Sequence, residues 1–391
     1  MKKLTLKTKI LALLWSFCAV MTAVVGLLNF WVAIPVGVVS IIVSVALYRM
    51  IDLVGNIGVL DLKLIRFSKK LSKMCDEASN VVIMGHKFSD LDSIGAEYGL
   101  YSYLRTKYKV NLLLNKENTL GRPLVDLICY TDPDCRFYGE ADIDRLVGMN
   151  TLLIIVDTHR PSLMDFERAY EKAGRVIIID HHLRADDFAS RAHLSFLKTS
   201  ASSACEICTA IIKALSGRPI GKVAANALFA GIMLDTKNFV MNTGPDTFRI
   251  ASYLRQQKAE PKTVKQLFSE SIDVCKRKYE IVSEAFIYDD CAISSSEIND
   301  GYSRVCAAQA ADELLSISGV RASFVICPSA DKINISARSY GDMNVKRIME
   351  KLGGGGHRTV AACQIRSESY EMAQKLLINA ISEYKEEQLK G

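Results

Sequence analysis

Val176-Ile177-Ile178-Ile179-Asp180-His181-His182 is a short β-branched run that ends in an acid and two imidazoles. The run reads as a buried strand, so the polar triplet falls at the carboxyl end of that strand, where ligands gather in open α/β sheets. Three further segments repeat the pattern. Val81-Val82-Ile83-Met84-Gly85 leads into His86, Asp90 and Asp92. Leu152-Leu153-Ile154-Ile155-Val156 leads into Asp157, His159 and Arg160, and Leu228-Phe229-Ala230-Gly231-Ile232-Met233-Leu234 leads into Asp235. Of the six histidines, four lie in these segments and a fifth, His357, closes Gly353-Gly354-Gly355-Gly356. Metal-ligand residue types at several apolar-run ends together point to a metal centre, although a lone Asp there is more often a helix cap.

Around these segments the chain alternates strands and helices. Strands are expected at 81–84, 110–114, 152–156 and 176–179, with helices near 93–108, 203–215 and 223–234. That alternation predicts a doubly wound, mostly parallel sheet over residues 80–255. A polar stretch at 256–270 containing Pro261 reads as a linker. Residues 271–388 read as a second, smaller α/β domain, with strand-like runs at 302–308, 322–327, 333–337 and 361–365 and helices at 310–315, 345–352 and 369–384. The active site is expected in the cleft between the two domains.

The amino-terminal 50 residues read differently. No charged residue occurs from Ile10 to Tyr48. One helix of that length would reach about 58 Å against a hydrocarbon core of about 30 Å, so two spans are expected, at 10–28 and 32–48. Lys2, Lys3, Lys7 and Lys9 precede the first span and Arg49 follows the second. Basic flanks on both sides predict a transmembrane hairpin in the cell membrane, a multi-pass protein with its catalytic domains cytoplasmic. The connector, 51–79, has helical periodicity with interleaved basic residues, suited to the membrane surface, to pairing with a second copy as a homodimer, or to simple packing.

The net charge of +6 over 391 residues suits an anionic substrate or the membrane lipid bilayer, but lacks the basic clustering of a duplex nucleic-acid binder. Eleven cysteines, an odd number set partly in apolar stretches, read as reduced thiols rather than a disulfide framework. Cys205 and Cys208 have redox-motif spacing but sit in an apolar helical pattern, and read as core.

Imidazole and carboxylate ligands without thiolate suit Mn²⁺, and more loosely Fe²⁺, Co²⁺ or Mg²⁺. Asp90 and Asp92 can address different ions, with Asp157 bridging them and His181 and Asp235 completing the second set. Two ions about 3.5–4 Å apart polarise a phosphoryl oxygen, activate water and hold the leaving oxygen. No Ser-His-Asp or Cys-His arrangement offers a competing mechanism. The glycine run can bring its backbone close to a phosphate or base, and its successive N–H groups suit an anion. Arg338 and His357 would add charge there, and Arg160, Ser202 and Ser203 are further phosphate-contact candidates.

Asp180-His181-His182 together with His86, Asp90, Asp92, Asp157 and Asp235 resembles the DHH phosphoesterase superfamily. The glycine run with His357, preceded by Ser336-Ala337-Arg338-Ser339 and Asn344-Val345, resembles its DHHA1 subgroup. Met84-Gly85-His86-Lys87, the segment from Val156 to Ser162 and that from Ala230 to Phe239 are similar to the GdpP-type membrane-anchored cyclic-di-AMP phosphodiesterases. The resemblance implies two Mn²⁺ ions and hydrolysis of cyclic-di-AMP to the linear dinucleotide pApA. It assigns His86, Asp90 and Asp157 to one ion, and Asp92, Asp157, His181 and Asp235 to the other. His182 would contact the scissile phosphate or steady the attacking oxygen, with Asp180 orienting the histidines. GdpP-type proteins usually carry PAS-like and degenerate GGDEF domains before the phosphodiesterase part. Here only about thirty residues separate Tyr48 from Asn80, too few for either. The soluble part also resembles in size the DHH-DHHA1 enzymes that degrade short oligoribonucleotides and pApA, which is the alternative activity.

Overall fold

The computed structural model of the chain describes residues 62–215, 219–299, 303–329, 332–366 and 369–390. They form two compact units that divide between Leu267 and Phe268. The division falls within the stretch read as a linker, which holds a short helix, Pro261–Gln266.

The first unit opens with α1 (Leu62–Asp76), followed by β1 (Asn80–Met84), α2 (Leu91–Leu104), β2 (Val110–Leu113), α3 (Arg122–Thr131) and β3 (Phe137–Tyr138). After these come β4 (Thr151–Val156), β5 (Arg175–Asp180), β6 (Leu194–Leu197), α4 (Ala204–Leu215), α5 (Lys222–Asp235) and α6 (Pro245–Gln256). The six strands form one sheet in the order β3-β2-β1-β4-β5-β6, with every pairing parallel. The strand order reverses between β1 and β4, so their carboxyl ends flank the crevice that doubly wound sheets use for ligands. Continuous apolar runs make these strands because both faces are covered. Val82, Met84, Leu153, Ile155, Val176 and Ile178 share one buried cluster with Met164, Phe166 and Tyr170.

Helix α5 is buried along nearly its whole length, from Ala224 to Met233. An apolar sequence on every side is what such a helix needs. Asp235 therefore stands at the end of the helix expected near 223–234. Gly231 lets α5 approach α2 and α4 closely. A Cβ there would sit 2.4 Å from Cys205 Sγ and 2.6 Å from Asp92 Oδ1.

The second unit contains α7 (Ile272–Ser283), β7 (Phe286–Tyr288), β8 (Cys291–Ser295), α8 (Ser303–Leu314), β9 (Ala322–Ser329) and β10 (Lys332–Ser339). It continues with α9 (Val345–Lys351), β11 (Gly355–Gly356), β12 (Val360–Ile365) and α10 (Tyr370–Lys390). Its sheet runs β11-β12-β10-β9-β8-β7, antiparallel except for the β8–β9 pair. The strand expected at 302–308 is replaced by α8, whose Cys306, Ala307, Ala310, Ala311 and Leu314 bury against Ala292, Val325 and Cys327.

The expected fold class needs one correction. Among the described residues no helix is long and apolar enough to cross a membrane. Helix α10 has the length, 21 residues, but carries Glu371, Lys375, Glu383, Lys385, Glu386 and Glu387, which a spanning helix does not tolerate. The expected spans at 10–28 and 32–48 lie outside the described residues. The expected transmembrane hairpin and multi-pass membrane placement are therefore no part of the described fold.

Candidate metal centre

The carboxyl ends of β1, β4 and β5 converge with the ends of three helices. Asp90 caps α2, its Oδ1 accepting the N–H groups of Asp92 at 2.9 Å and Ser93 at 3.1 Å. Cap and candidate ligand are thus one residue. Asp92, in the first turn of α2, is fully buried and accepts from Ala204 N at 2.7 Å and Cys205 N at 2.9 Å. The amino terminus of α4 therefore fixes this carboxylate from the far side. Asp157 leaves β4 with φ +59°, a left-handed conformation that Asp tolerates better than most residues, while its N–H donates to Ile179 O at 2.9 Å. Such strain gathers at functional sites.

Two groups of three donors result. One atom each from His86, Asp90 and Asp157 lie within 4.8 Å of one another, and so do one each from Asp92, His181 and Asp235. Asp157 stands between the groups. Its Oδ2 is 3.3 Å from His86 Nε2 and its Oδ1 is 3.3 Å from His181 Nε2. His181 Nε2 is also 3.3 Å from Asp235 Oδ2 and 3.9 Å from Asp92 Oδ2. His86 Nδ1 donates to the carbonyl of Lys87 at 2.5 Å, which leaves Nε2 as its ligating nitrogen.

Asp180 and His182 can also be grouped with Asp157 and His181 by distance. Hydrogen bonding separates them. Asp180 Oδ1 accepts from His181 N, His182 N and His182 Nδ1 at 2.7, 3.1 and 2.8 Å, and Oδ2 lies 2.5 Å from His159 Nδ1. Both oxygens of Asp180 are thus engaged by imidazole and backbone donors. Sequence pattern alone assigns His159 no role, although Asp157-x-His159 places it beside a candidate ligand. It is buried, and Ala185 N donates to its Nε2 at 2.9 Å. Its proton therefore sits on Nδ1 and points at Asp180.

The electrostatics show what the cluster lacks. Burial, reinforced by the charge of Asp157, pushes Asp92 up to about 7. Burial and the neighbouring carboxylates raise Asp235 well above the usual carboxylate range, and burial raises Asp90. Burial opposes a charged imidazole, yet the facing Asp157 carboxylate outweighs it and lifts His86 to about 10 and His181 to about 9. Asp157 stays well below the usual range, since the imidazoles of His181 and His86, each 3.3 Å from it, overcome its burial. Protons supply the positive charge that divalent cations would otherwise bring. Two buried atoms at the centre, Asp157 Oδ1 and His181 Nε2, complete no hydrogen bond despite lying 3.3 Å apart. Converging, unsatisfied oxygen and imidazole donors fit hard or borderline divalent ions.

The other expected contact residues have partners within their own units. Arg160 pairs with Asp187 at 2.8 Å, and Ser162 Oγ joins the same carboxylate at 3.3 Å. Ser202 Oγ donates to Glu206 at 2.7 Å, while Ser203 Oγ accepts Glu206 N at 3.0 Å, so both hold the start of α4. In the second unit, Arg338 pairs with Asp312 at 3.1 Å. Gly353 has φ +76°, and Gly355 and Gly356 pair with Ala362 and Ala361 as strand β11. A Cβ at Gly354 would lie 2.3 Å from Ala362 O, so the run is a tightly packed edge rather than a loose loop. His357, exposed, donates its N–H to Val360 O at 2.7 Å. Cys205 and Cys208 are fully buried, as core thiols should be, whereas Cys129 is exposed.

Residues 80–232 match the DHH family, N-terminal domain, and residues 285–383 match the DHHA1 domain. The chain belongs to the DHH family. It is 38% identical over 326 residues to the cyclic-di-AMP phosphodiesterase GdpP of Bacillus subtilis (strain 168), covering 81% of this chain and 50% of that one. Identity to the cyclic-di-AMP phosphodiesterase PdeA of Listeria monocytogenes serotype 1/2a (strain 10403S) is 36% over 324 residues, 81% of this chain and 49% of that one. The chain thus spans about half the length of these curated relatives. Among solved structures, an exopolyphosphatase-related protein from Bacteroides fragilis shares the fold, with TM-score 0.69 and 22% identity over 83% of this DHH-family chain and 98% of its own.

Proposed function

We propose that this DHH-family chain is a manganese-dependent phosphodiesterase that hydrolyses cyclic-di-AMP to pApA. The observation that carries the reading is the pair of three-donor groups with the Asp157 carboxylate turned one oxygen toward each. The identity to relatives named cyclic-di-AMP phosphodiesterases supports the substrate. His86, Asp90 and Asp157 would hold one Mn²⁺, and Asp92, Asp157, His181 and Asp235 the other. When bound, two such ions lower the pKa of water and neutralise charge on a phosphoryl oxygen.

The remaining work falls to side chains of the chain itself. Asp180 takes the Nδ1 hydrogen of His182 at 2.8 Å, leaving the other ring nitrogen for substrate. The hydrogen bond that His182 donates to Asp180, working against burial, raises the His182 pKa, so the ring can present a proton to a phosphoryl oxygen. Its side chain is 54% exposed, unlike the enclosed His181, as a group that meets substrate must be. His159 holds Asp180 from behind. Arg338 and the glycine strand of the second unit are the proposed contacts for the rest of the nucleotide, together with His357 and Arg160. Hydrolysis of one 3′,5′ diester consumes one water and leaves a 5′-phosphate and a 3′-hydroxyl.

The test is to incubate the purified full chain with Mn²⁺, Mg²⁺, Co²⁺ or Fe²⁺ and resolve the products by chromatography. Cyclic-di-AMP, pApA and 5′-labelled short RNA are the substrates. Fastest conversion of cyclic-di-AMP, with Mn²⁺ the best ion and activity lost in Asp157→Ala, is expected. Faster turnover of pApA or RNA would replace the reading with an oligoribonuclease.

A further inference from the structure

We propose that Phe88 is a stacking platform for a nucleobase of the substrate, an inference that rests on the phosphodiesterase reading above. Phe88 lies between His86 and Asp90, both in the first donor group, yet its own side chain belongs to no part of that group. It is 57% exposed. Its backbone also has φ +58°, a left-handed conformation that bulky residues rarely adopt. A ring both exposed and strained contributes little to folding, so its placement calls for another reason.

The loop on either side of it is firmly held. Lys87 N donates to Leu163 O at 2.7 Å, and Lys87 Nζ reaches Ser162 O at 3.1 Å. Ser89 Oγ donates to His86 O at 2.6 Å. The Ser89 carbonyl accepts three hydrogen bonds, from Thr119 Oγ1 at 2.8 Å, Leu120 N at 2.9 Å and Gly121 N at 3.0 Å. Both neighbours are therefore pinned while the ring between them stands in solvent, pre-organised at little further entropic cost on binding. Leu163, tied to Lys87 through the backbone, is also exposed, at 43%. A planar apolar face two residues from a phosphate-directed cluster matches a dinucleotide, whose bases flank the reacting phosphate and stack on aromatic rings irrespective of sequence.

Stacking of one base is worth about 1–3 kcal/mol by alanine substitution, which converts to about a 5- to 150-fold change in affinity. With the full chain and Mn²⁺, Phe88→Ala should raise the KM for cyclic-di-AMP by that factor, with kcat moving less and Mn²⁺ affinity unchanged. Phe88→Trp should recover most of the affinity lost in Phe88→Ala. Its added tryptophan, beside the native Trp15 and Trp31, should be quenched by cyclic-di-AMP but not by ribose 5-phosphate. Phe88→Gly relieves the left-handed strain, so it should melt no lower than the wild type while binding as weakly as Phe88→Ala. Unchanged KM in Phe88→Ala, or no quenching in Phe88→Trp while the wild type turns substrate over, would overturn the platform. So would a Phe88→Gly protein that loses stability or Mn²⁺ affinity, because that marks a structural role. Quenching by nucleotide in a protein that cleaves no diester would uphold the platform and remove the hydrolytic reading instead.

Discussion

Replacing Gly231 by alanine should damage the metal centre through packing alone. The added Cβ would stand 2.4 Å from Cys205 Sγ, 2.6 Å from Asp92 Oδ1 and 2.7 Å from Asp92 Cα. Ordinary carbon contacts lie at about 3.5–4.0 Å, so the overlap is about 1 Å. A backbone atom among the clashing partners means that α2 and α5 must separate, since no rotamer change removes it. Overpacking of this kind costs about 1–3 kcal/mol, a fall in Tm of roughly 2–12 °C for a unit of this size. Asp92 must move too, and it is held by Ala204 N and Cys205 N. Mn²⁺ affinity should therefore fall about 10-fold or more, as when supports of metal ligands are removed. Thermal unfolding followed by circular dichroism in EDTA reads the first effect, and Mn²⁺ titration by electron paramagnetic resonance reads the second. Adding Cys205→Ala removes the sulfur contact but leaves both contacts to Asp92. The double variant should regain part of the stability without regaining Mn²⁺ affinity. A Gly231→Ala protein within 1 °C of wild type and with unaltered Mn²⁺ affinity would refute the close approach of α2, α4 and α5 as the source of the Asp92 position.

Asp180→Asn places an NH₂ where only acceptors are wanted, because all four hydrogen bonds to Asp180 are donated to it. Mn²⁺ affinity and kcat/KM should each drop about 10- to 100-fold, and full activity would remove Asp180 as the residue that orients the histidines. His86 and His181, raised to about 10 and about 9, are protonated at neutral pH without metal and must lose those protons to ligate. Mn²⁺ binding at pH 7 should accordingly release protons, and affinity should climb between pH 6 and 9. Calorimetry in buffers of different ionisation enthalpy measures this, and a pH-independent affinity would contradict it. Glu97 is fully buried, accepts from Ser93 Oγ at 3.2 Å through Oε1 and leaves Oε2 unbonded. Burial, with the charge of Asp165, raises it well above 4.5. The unfolded chain then releases this proton first, so stability falls as pH rises above about 4.5. Glu97→Gln, which imitates the neutral acid, should escape that loss. Its Tm advantage in EDTA should widen from pH 5 to pH 8, and a constant gap would mean that Glu97 is not held neutral.

Sequence revealed the central strands of the first sheet because burial on both faces leaves no choice of residue. Val81 to Met84, Leu152 to Val156 and Val176 to Ile179 are all buried. The edges of that sheet carry no such signature. β3 has two residues, and β6 exposes Ser195 while burying Phe196, so pairing with β2 and β5 makes them strands. In the second unit, Tyr302-Ser303-Arg304-Val305-Cys306 invites a strand reading, but the alanines that follow seat a helix against β9. Tertiary burial overrides local propensity there. Charge partners were equally hidden. Arg160 meets Asp187 and Arg338 meets Asp312 across 27 and 26 residues of chain, separations that no local pattern encodes.

The donor set was legible for a different reason than its assembly. Residue types at strand ends are local, so His86, Asp157 and His181 could be read one at a time. Their convergence depends on β4 lying between β1 and β5, which the parallel pairings fix. Asp92 and Asp235 depend on helix packing, where Gly231 and the amino terminus of α4 set the approach. A cluster assembled this way keeps like charges together, a left-handed Asp157 and two unsatisfied buried atoms, none of which favours the folded chain alone. Asp180 accepts four hydrogen bonds from the backbone and imidazoles beside the cluster. The sheet and that one saturated carboxylate together hold the donors in positions where protons, or divalent cations in their place, must offset the charge.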